Sequence, residues 1–203
     1  PCRGSDVLAG RSGGSEPAAE EARASGTGAV TESVCLGDAE PAWTFPTAAP
    51  TATPTATPTA APTAIPTTPT AAPSSLDECV NAATLHSAGY DDGDAAALTV
   101  NGAPLTTIAR GLNAVLLDGT TLALIANGNF DPWSSHGDAS AAMLAWRDAH
   151  ASTDDWLLVA AKDDVSIISG ALKSRLASEV GATQVRSLPF RGSYVLAGRI
   201  GGS

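Results

Sequence analysis

The sequence predicts a mixed α/β domain over residues 77–203, preceded by a long disordered linker rich in proline and threonine. Two observations carry that prediction. Prolines stand at positions 46, 50, 54, 58, 62 and 66 in an uncharged background dominated by Thr and Ala. Each proline fixes φ and removes a backbone donor, so neither helix nor sheet can propagate there. Beyond Leu76 the composition changes, and short apolar runs alternate with stretches of helical period.

A near-duplication frames the chain. Residues 1–15 read PCRGSDVLAGRSGGS, and residues 189–203 read PFRGSYVLAGRIGGS. They differ at Cys2/Phe190, Asp6/Tyr194 and Ser12/Ile200, all even-numbered places that share a face in a strand. Such similarity at long range marks an internal repeat. Residues 1–15 are therefore expected to be the tail of a preceding repeat unit, with one face stripped of its large apolar groups. Residues 16–45 have few large apolar residues and no sustained period, so a disordered linker is expected. Residues 46–76 read as an extended polyproline-II-like spacer, reaching roughly 85 Å over 46–73 at ~3.1 Å per residue. Thr beside Pro at this density is also the composition of O-glycosylated stalks, which points outside the cell.

The chain carries 21 acidic residues against 11 Lys and Arg, a formal net charge of -10. Without a basic patch, nucleic acid is not an expected partner. No run approaches the ~20 apolar residues of a membrane helix, so no membrane insertion is expected. The three cysteines, Cys2, Cys35 and Cys79, are widely spaced and form no CxxC pair. No metal site and no cofactor are expected from them. A Cys35–Cys79 disulfide across the linker is one of the pairings they allow.

The domain itself is read in order. Thr84–Tyr90 and Ala96–Val100 are short strands around the acidic turn Asp91-Asp92-Gly93-Asp94. In Gly111–Leu117, Leu112, Ala114 and Leu116 alternate with Asn113, Val115 and Leu117. Asp118-Gly119 signals a tight turn, with Thr121–Ala126 returning as the hairpin partner. Apolar residues on both faces make that hairpin central. Phe130-Asp-Pro-Trp133 ends it. Ser135 or Asp138 caps a helix over 139–149, with Ala139, Ala142, Met143, Trp146 and Ala149 inward. Trp156–Ala161 is a buried strand by its continuous apolarity. A second helix follows over 166–180, capped by Ser166 and stopped by Gly181, with Ile168, Leu172, Leu176 and Val180 inward. Leu188–Arg199 closes the domain as the last strand.

Three constellations could carry chemistry. The carboxylates of Asp91, Asp92 and Asp94 suit calcium in type, but the EF-hand spacing is absent and a solvated turn is the better reading. His136, Ser134 or Ser135, and Asp131 have the residue types of a hydrolase, yet no GxSxG elbow accompanies them and catalysis is not expected. The third set lies at strand ends: Arg110, then Lys162-Asp163-Asp164, then Arg191. An arginine fork beside a carboxylate suits a ring of hydroxyls. The same three charges could equally bridge the strand ends structurally, and spacing leaves both readings open.

At these residues the sequence resembles a known family. Arg110-Gly-Leu-Asn-Ala-Val-Leu-Leu-Asp118, Phe130-Asp-Pro-Trp133, Lys162-Asp-Asp164, Val180-Gly-Ala182 and Phe190-Arg-Gly-Ser-Tyr-Val-Leu-Ala-Gly-Arg199 together resemble the ILEI (interleukin-like EMT inducer) domain. That domain is shared by the cytokine-like proteins of the family and by the stem of protein O-mannose N-acetylglucosaminyltransferase. The resemblance covers about 85–203. It implies two mostly antiparallel sheets flanked by helices, outside the cell or in the secretory lumen, without catalysis. From the stem domain it implies a ligand of β-linked N-acetylglucosamine type, held by Arg110, Asp163 and Arg191. The cytokine-like members carry paired cysteines, whereas 77–203 holds only Cys79, so their signalling does not transfer with the fold.

The expectation is thus a non-catalytic extracellular module in a tandem array, binding a glycan or glycoprotein. A protein partner at the cell surface, or a structural matrix role, is the alternative. A polar cleft with an aromatic rim, such as Trp133, would favour sugar, and a large exposed apolar patch would favour protein.

Overall fold

The computed structural model describes residues 20–23, 28–37, 80–134 and 138–201. The strands run β1 Glu20–Arg23, β2 Val30–Cys35, β3 Ala82–Ala88, β4 Ala95–Val100, β5 Ala103–Pro104, β6 Gly111–Leu117, β7 Leu124–Phe130, β8 Trp156–Lys162 and β9 Tyr194–Arg199. The helices are α1, Asp138–His150, and α2, Gly170–Val180. One sheet has five strands in the order β1-β9-β8-β6-β7, and the other has four in the order β2-β3-β4-β5. Every pairing is antiparallel.

The layering follows from β6 and β8, whose residues are nearly all buried because both faces are covered. Leu112, Ala114 and Leu116 point with Leu157 and Val159 toward the helices, joining Met143, Leu172, Leu176 and Val180 in one core. Val115, Leu117, Leu158 and Ala160 point the other way, toward Leu85, Leu98 and Val100 of the four-stranded sheet. Helices, five-stranded sheet and four-stranded sheet therefore stack in that order. The mixed α/β expectation with two antiparallel sheets holds at this level, with both helices on one side.

Several elements differ from expectation. Residues 16–45 are not linker throughout: Glu20–Arg23 pairs with β9, and Val30–Cys35 pairs with β3. Val30, Val34 and Leu36 are buried between the sheets. The loop of the β6–β7 hairpin is longer than a two-residue turn, because Asp118 captures the N–H groups of Thr120 and Thr121 and Leu122 adopts φ 56. β7 therefore starts at Leu124 and lies at the sheet edge, with Leu124 and Ile125 exposed. Only β6 of that hairpin is central.

On α1, Ala139, Ser140 and Met143 are buried while Ala142 and Ala149 face solvent. The buried stripe is turned toward Ser140 and Leu144, and Trp146 packs half-buried against Phe130 at 5.5 Å between ring centroids. The cap of α2 is Ser169, whose hydroxyl accepts from Leu172 N, and not Ser166. Gly181 at φ 72 ends that helix as expected. The last strand begins at Tyr194, after a 3-10 turn over Gln184–Ser187. Of the three residues that distinguish the closing repeat, Tyr194 and Ile200 are buried and Phe190 is exposed. Cys35 is disulfide-bonded, to a partner outside the described residues. Residues 1–15 and 46–76, expected as a repeat tail and a spacer, also lie outside them.

Two stability outcomes follow. A fragment of 77–203 lacks β2 and the buried apolar side chains Val30, Val34 and Leu36, each worth ~1.5–3 kcal/mol. It is expected to melt roughly 10 °C or more below the whole chain, as read by circular dichroism; equal melting would show β2 to be dispensable. Trp146→Ala is expected to cost about 2 kcal/mol in urea unfolding, below the ~3–5 kcal/mol of a fully buried aromatic.

Candidate functional site

The antiparallel register gathers one set of strand ends. Gly111 at the start of β6 pairs with Lys162 at the end of β8, and Ala160 pairs with Val195 near the start of β9. Arg110, Asp163 and the 189–193 segment therefore emerge at the same end of the five-stranded sheet. The 89–94 turn between β3 and β4 is brought there by two buried serines. Ser87 Oγ donates to Ala161 O at 2.7 Å and accepts from Tyr194 N at 3.0 Å. Ser193 Oγ accepts from Gly89 N and donates to Gly28 O, both at 2.9 Å. A Cβ on Gly89 would overlap the carbonyl oxygen of Arg191, so only glycine allows this approach.

Arg110 is held by three residues. Its backbone is fixed by Asn113, a fully buried amide in the otherwise apolar β6. Asn113 Oδ1 accepts from Ala109 N at 2.9 Å, and its Nδ2 donates to Ala109 O at 2.8 Å. Asn129 Nδ2 adds a bond to Arg110 O at 2.9 Å. The guanidinium places both Nε and an Nη at 2.7 Å from Asp131 Oδ2, while Asp131 Oδ1 accepts from Trp133 N at 2.9 Å. Burial pushes the Asp131 carboxyl up, but the hydrogen bonds from Arg110, Trp133 and Ser134 outweigh it and hold it below its ordinary value. The same bond to Asp131 raises Arg110, with Asp163 and Asp94 contributing by charge.

Asp163 sits at φ 66, its side chain half-buried beside Arg110 and Asp94. Partial burial and then the Asp94 charge lift its pKa above the ordinary carboxylate value, against the pull of Arg110. Its neighbour Asp164 turns inward, 2% exposed, and accepts from Ser166 N. Arg191 sits at φ 56 on the other flank of the acidic turn. It reaches Asp91 Oδ1 at 3.3 Å and lies 4.3 Å from the Tyr90 ring centroid and 5.1 Å from that of Phe190. Tyr90, Phe190 and Trp133 are all exposed.

The three expected residues thus share one rim, but not as an Arg–Asp–Arg bridge. Arg110 pairs with Asp131, Arg191 pairs with Asp91, and Asp163 makes no ion pair among the described residues. Sequence reasoning missed Asn113 as a positioning group; a lone amide inside an apolar strand was the available signal. It also missed Asp131 as the partner of Arg110, having placed it in a hydrolase set. Both oxygens of that carboxylate are engaged here, and His136 and Ser135 lie outside the described residues.

Stacked antiparallel sheets, helices on one face and a charged, aromatic rim at the strand ends define the class: a helix-flanked two-sheet domain. Residues 110–202 match the family model described as ILEI, Interleukin-like EMT inducer. Protein FAM3A of Homo sapiens and Protein FAM3A of Pongo abelii are each 33% identical over 94 residues, which is 46% of this chain and 39% of theirs. The chain therefore spans less than half the length of these relatives. Among the described residues, no helix is long and apolar enough to cross a membrane.

Asparagine tolerates the left-handed backbone at 163, so Asp163→Asn isolates the charge. A carboxyl with a raised folded-state pKa destabilises only when ionised, so the wild type loses stability as pH rises through that pKa. The variant is expected to melt above the wild type at neutral pH, with the difference vanishing below the ordinary value of 3.8. Melting curves across pH test this, and an opposite sign would mean that the attraction of Arg110 dominates.

Proposed function

We propose that the domain is a non-catalytic binding module for carbohydrate of β-linked N-acetylglucosamine type, acting outside the cell or in the secretory lumen. The observation that carries the reading is the shared rim: Arg110, Asp163 and Arg191 beside exposed Tyr90, Phe190 and Trp133. Sugars are held by planar charged groups that bond vicinal hydroxyls and by aromatic faces that cover C–H surfaces. The family resemblance assigns ligand contacts to the same three charged residues. The disulfide at Cys35 supports an oxidising compartment. The duplication of 189–203 at 1–15 supports tandem copies, in which weak sugar contacts gain by avidity.

A second reading is a signalling module that binds a protein. The description of the matching family, Interleukin-like EMT inducer, favours it, as do the exposed Leu124 and Ile125 on the edge strand β7. A glycan array followed by titration calorimetry on the whole chain separates the two. Arg191→Ala is expected to abolish glycan binding while the melting temperature changes little, because an exposed pair such as Arg191–Asp91 is worth ~0–1 kcal/mol. Undiminished binding by that variant, or silence of the array, would overturn the carbohydrate reading.

A further inference from the structure

A groove of about 490 Å³ opens beside the rim, between the end of β5 with its following loop and the edge strand β7. Thr106 and Thr107 line one wall, Asn127 and Asn129 the other, with Pro104 at the margin. None of its lining residues is charged, in contrast to the rim. The groove and the rim share a wall: Asn129 donates to the carbonyl of Arg110 at 2.9 Å, and Thr107 precedes Arg110 by three residues. The side chains of Asn127 and Thr107 are exposed and hydrogen-bonded to no described residue, so their donors and acceptors are open to a ligand.

We infer that this groove is a second subsite, taking the next uncharged sugar residues of an oligosaccharide whose terminal residue lies on the Arg110–Asp163–Arg191 rim. The inference rests on the carbohydrate reading above. Its chemistry is that of neutral polyhydroxyl chains: amide and hydroxyl groups that both donate and accept, no fixed charge, and an open side where β7 ends the sheet. An anionic chain would find no cation in the groove.

The test uses the whole chain, with N-acetylglucosamine and its β-linked dimer and trimer as probes in calorimetry. The trimer is expected to bind about tenfold more tightly than the monosaccharide, the gain that two or three added hydrogen bonds provide. In the double variant Asn127→Ala, Thr107→Ala that gain is expected to fall below about threefold, with monosaccharide affinity unchanged. Both residues are exposed, so unchanged melting serves as the folding control. A trimer no tighter than the monosaccharide, or a gain that survives the double variant, overturns the subsite while leaving the rim in place. Absence of binding by all three sugars overturns the rim reading and the subsite with it. Tighter binding of an uncharged extended peptide than of the trimer would assign the groove to protein instead.

Discussion

The buried hydroxyl of Ser87 is the interaction on which the geometry of the charged rim depends. It belongs to the four-stranded sheet, yet both its partners, Ala161 O and Tyr194 N, belong to the five-stranded one. Most of the sheet-on-sheet contact is apolar and non-directional, so by itself it permits sliding of one layer over the other. A fully buried donor and acceptor does not, because any shift strands a backbone group away from water at about 1–3 kcal/mol each. Ser193 repeats the device two residues beyond Arg191. The 89–94 turn is thereby locked against the 189–193 segment, and the close approach at Gly89 follows from it. Without these two serines, Asp91 and Asp94 would have no fixed relation to Arg191 and Asp163.

Once that registry is set, the rim becomes an electrostatic compromise. Asp131 satisfies Arg110, and Asp91 satisfies Arg191, but Asp163 lies near Asp94 and has no ion-pair partner among the described residues. Asp94, Asp163 and Arg191 all hold left-handed backbone conformations. For a residue such as arginine that conformation costs roughly 1–2 kcal/mol. Strain and like-charge crowding in one place fit a surface arranged for a ligand better than one arranged for stability. The planar guanidinium of Arg191, laid over Tyr90 and near Phe190, is also held in orientation while its edge stays accessible.

What was legible in the sequence follows from how locally each signal is written. β6, β8 and the buried face of α2 lie in runs whose period or continuous apolarity suffices to identify them. β2 was not legible, although Val30 and Val34 point inward, because the residue between them on that face is Glu32, buried at 6% exposure. A charge in the centre of the inward stripe erases the alternation that marks a strand. The partner of β2 is also far away, across the Pro/Thr segment, so no hairpin signal announces it. β7 was misplaced by three residues because an edge strand needs no apolar face: Asn127, Gly128 and Asn129 are polar or small and still pair with β6 through the backbone. The charged members of the rim could be named from their places beside apolar strands. Their pairing could not, since Asp131 and Asp91 lie in turns whose positions depend on the tertiary fold.

The placement of β2 also changes what the Pro/Thr segment can do mechanically. Leu36 N donates to Asn81 O at 2.9 Å, so the chain leaves and re-enters the same sheet at one corner. A spacer separates domains only if its two ends belong to different bodies. Here both ends belong to one sheet, and the segment contributes nothing to the distance between this domain and whatever precedes β1. In the tandem arrangement proposed above, that distance falls to the short stretch between the first repeat copy and Glu20. Effective concentration rises steeply as a connection shortens, up to the point where geometry forbids joint engagement. Neighbouring rims on such an array would then be held at closely set positions along a ligand, and spacing of the glycan epitopes would govern avidity more than the length of the proline-rich tract.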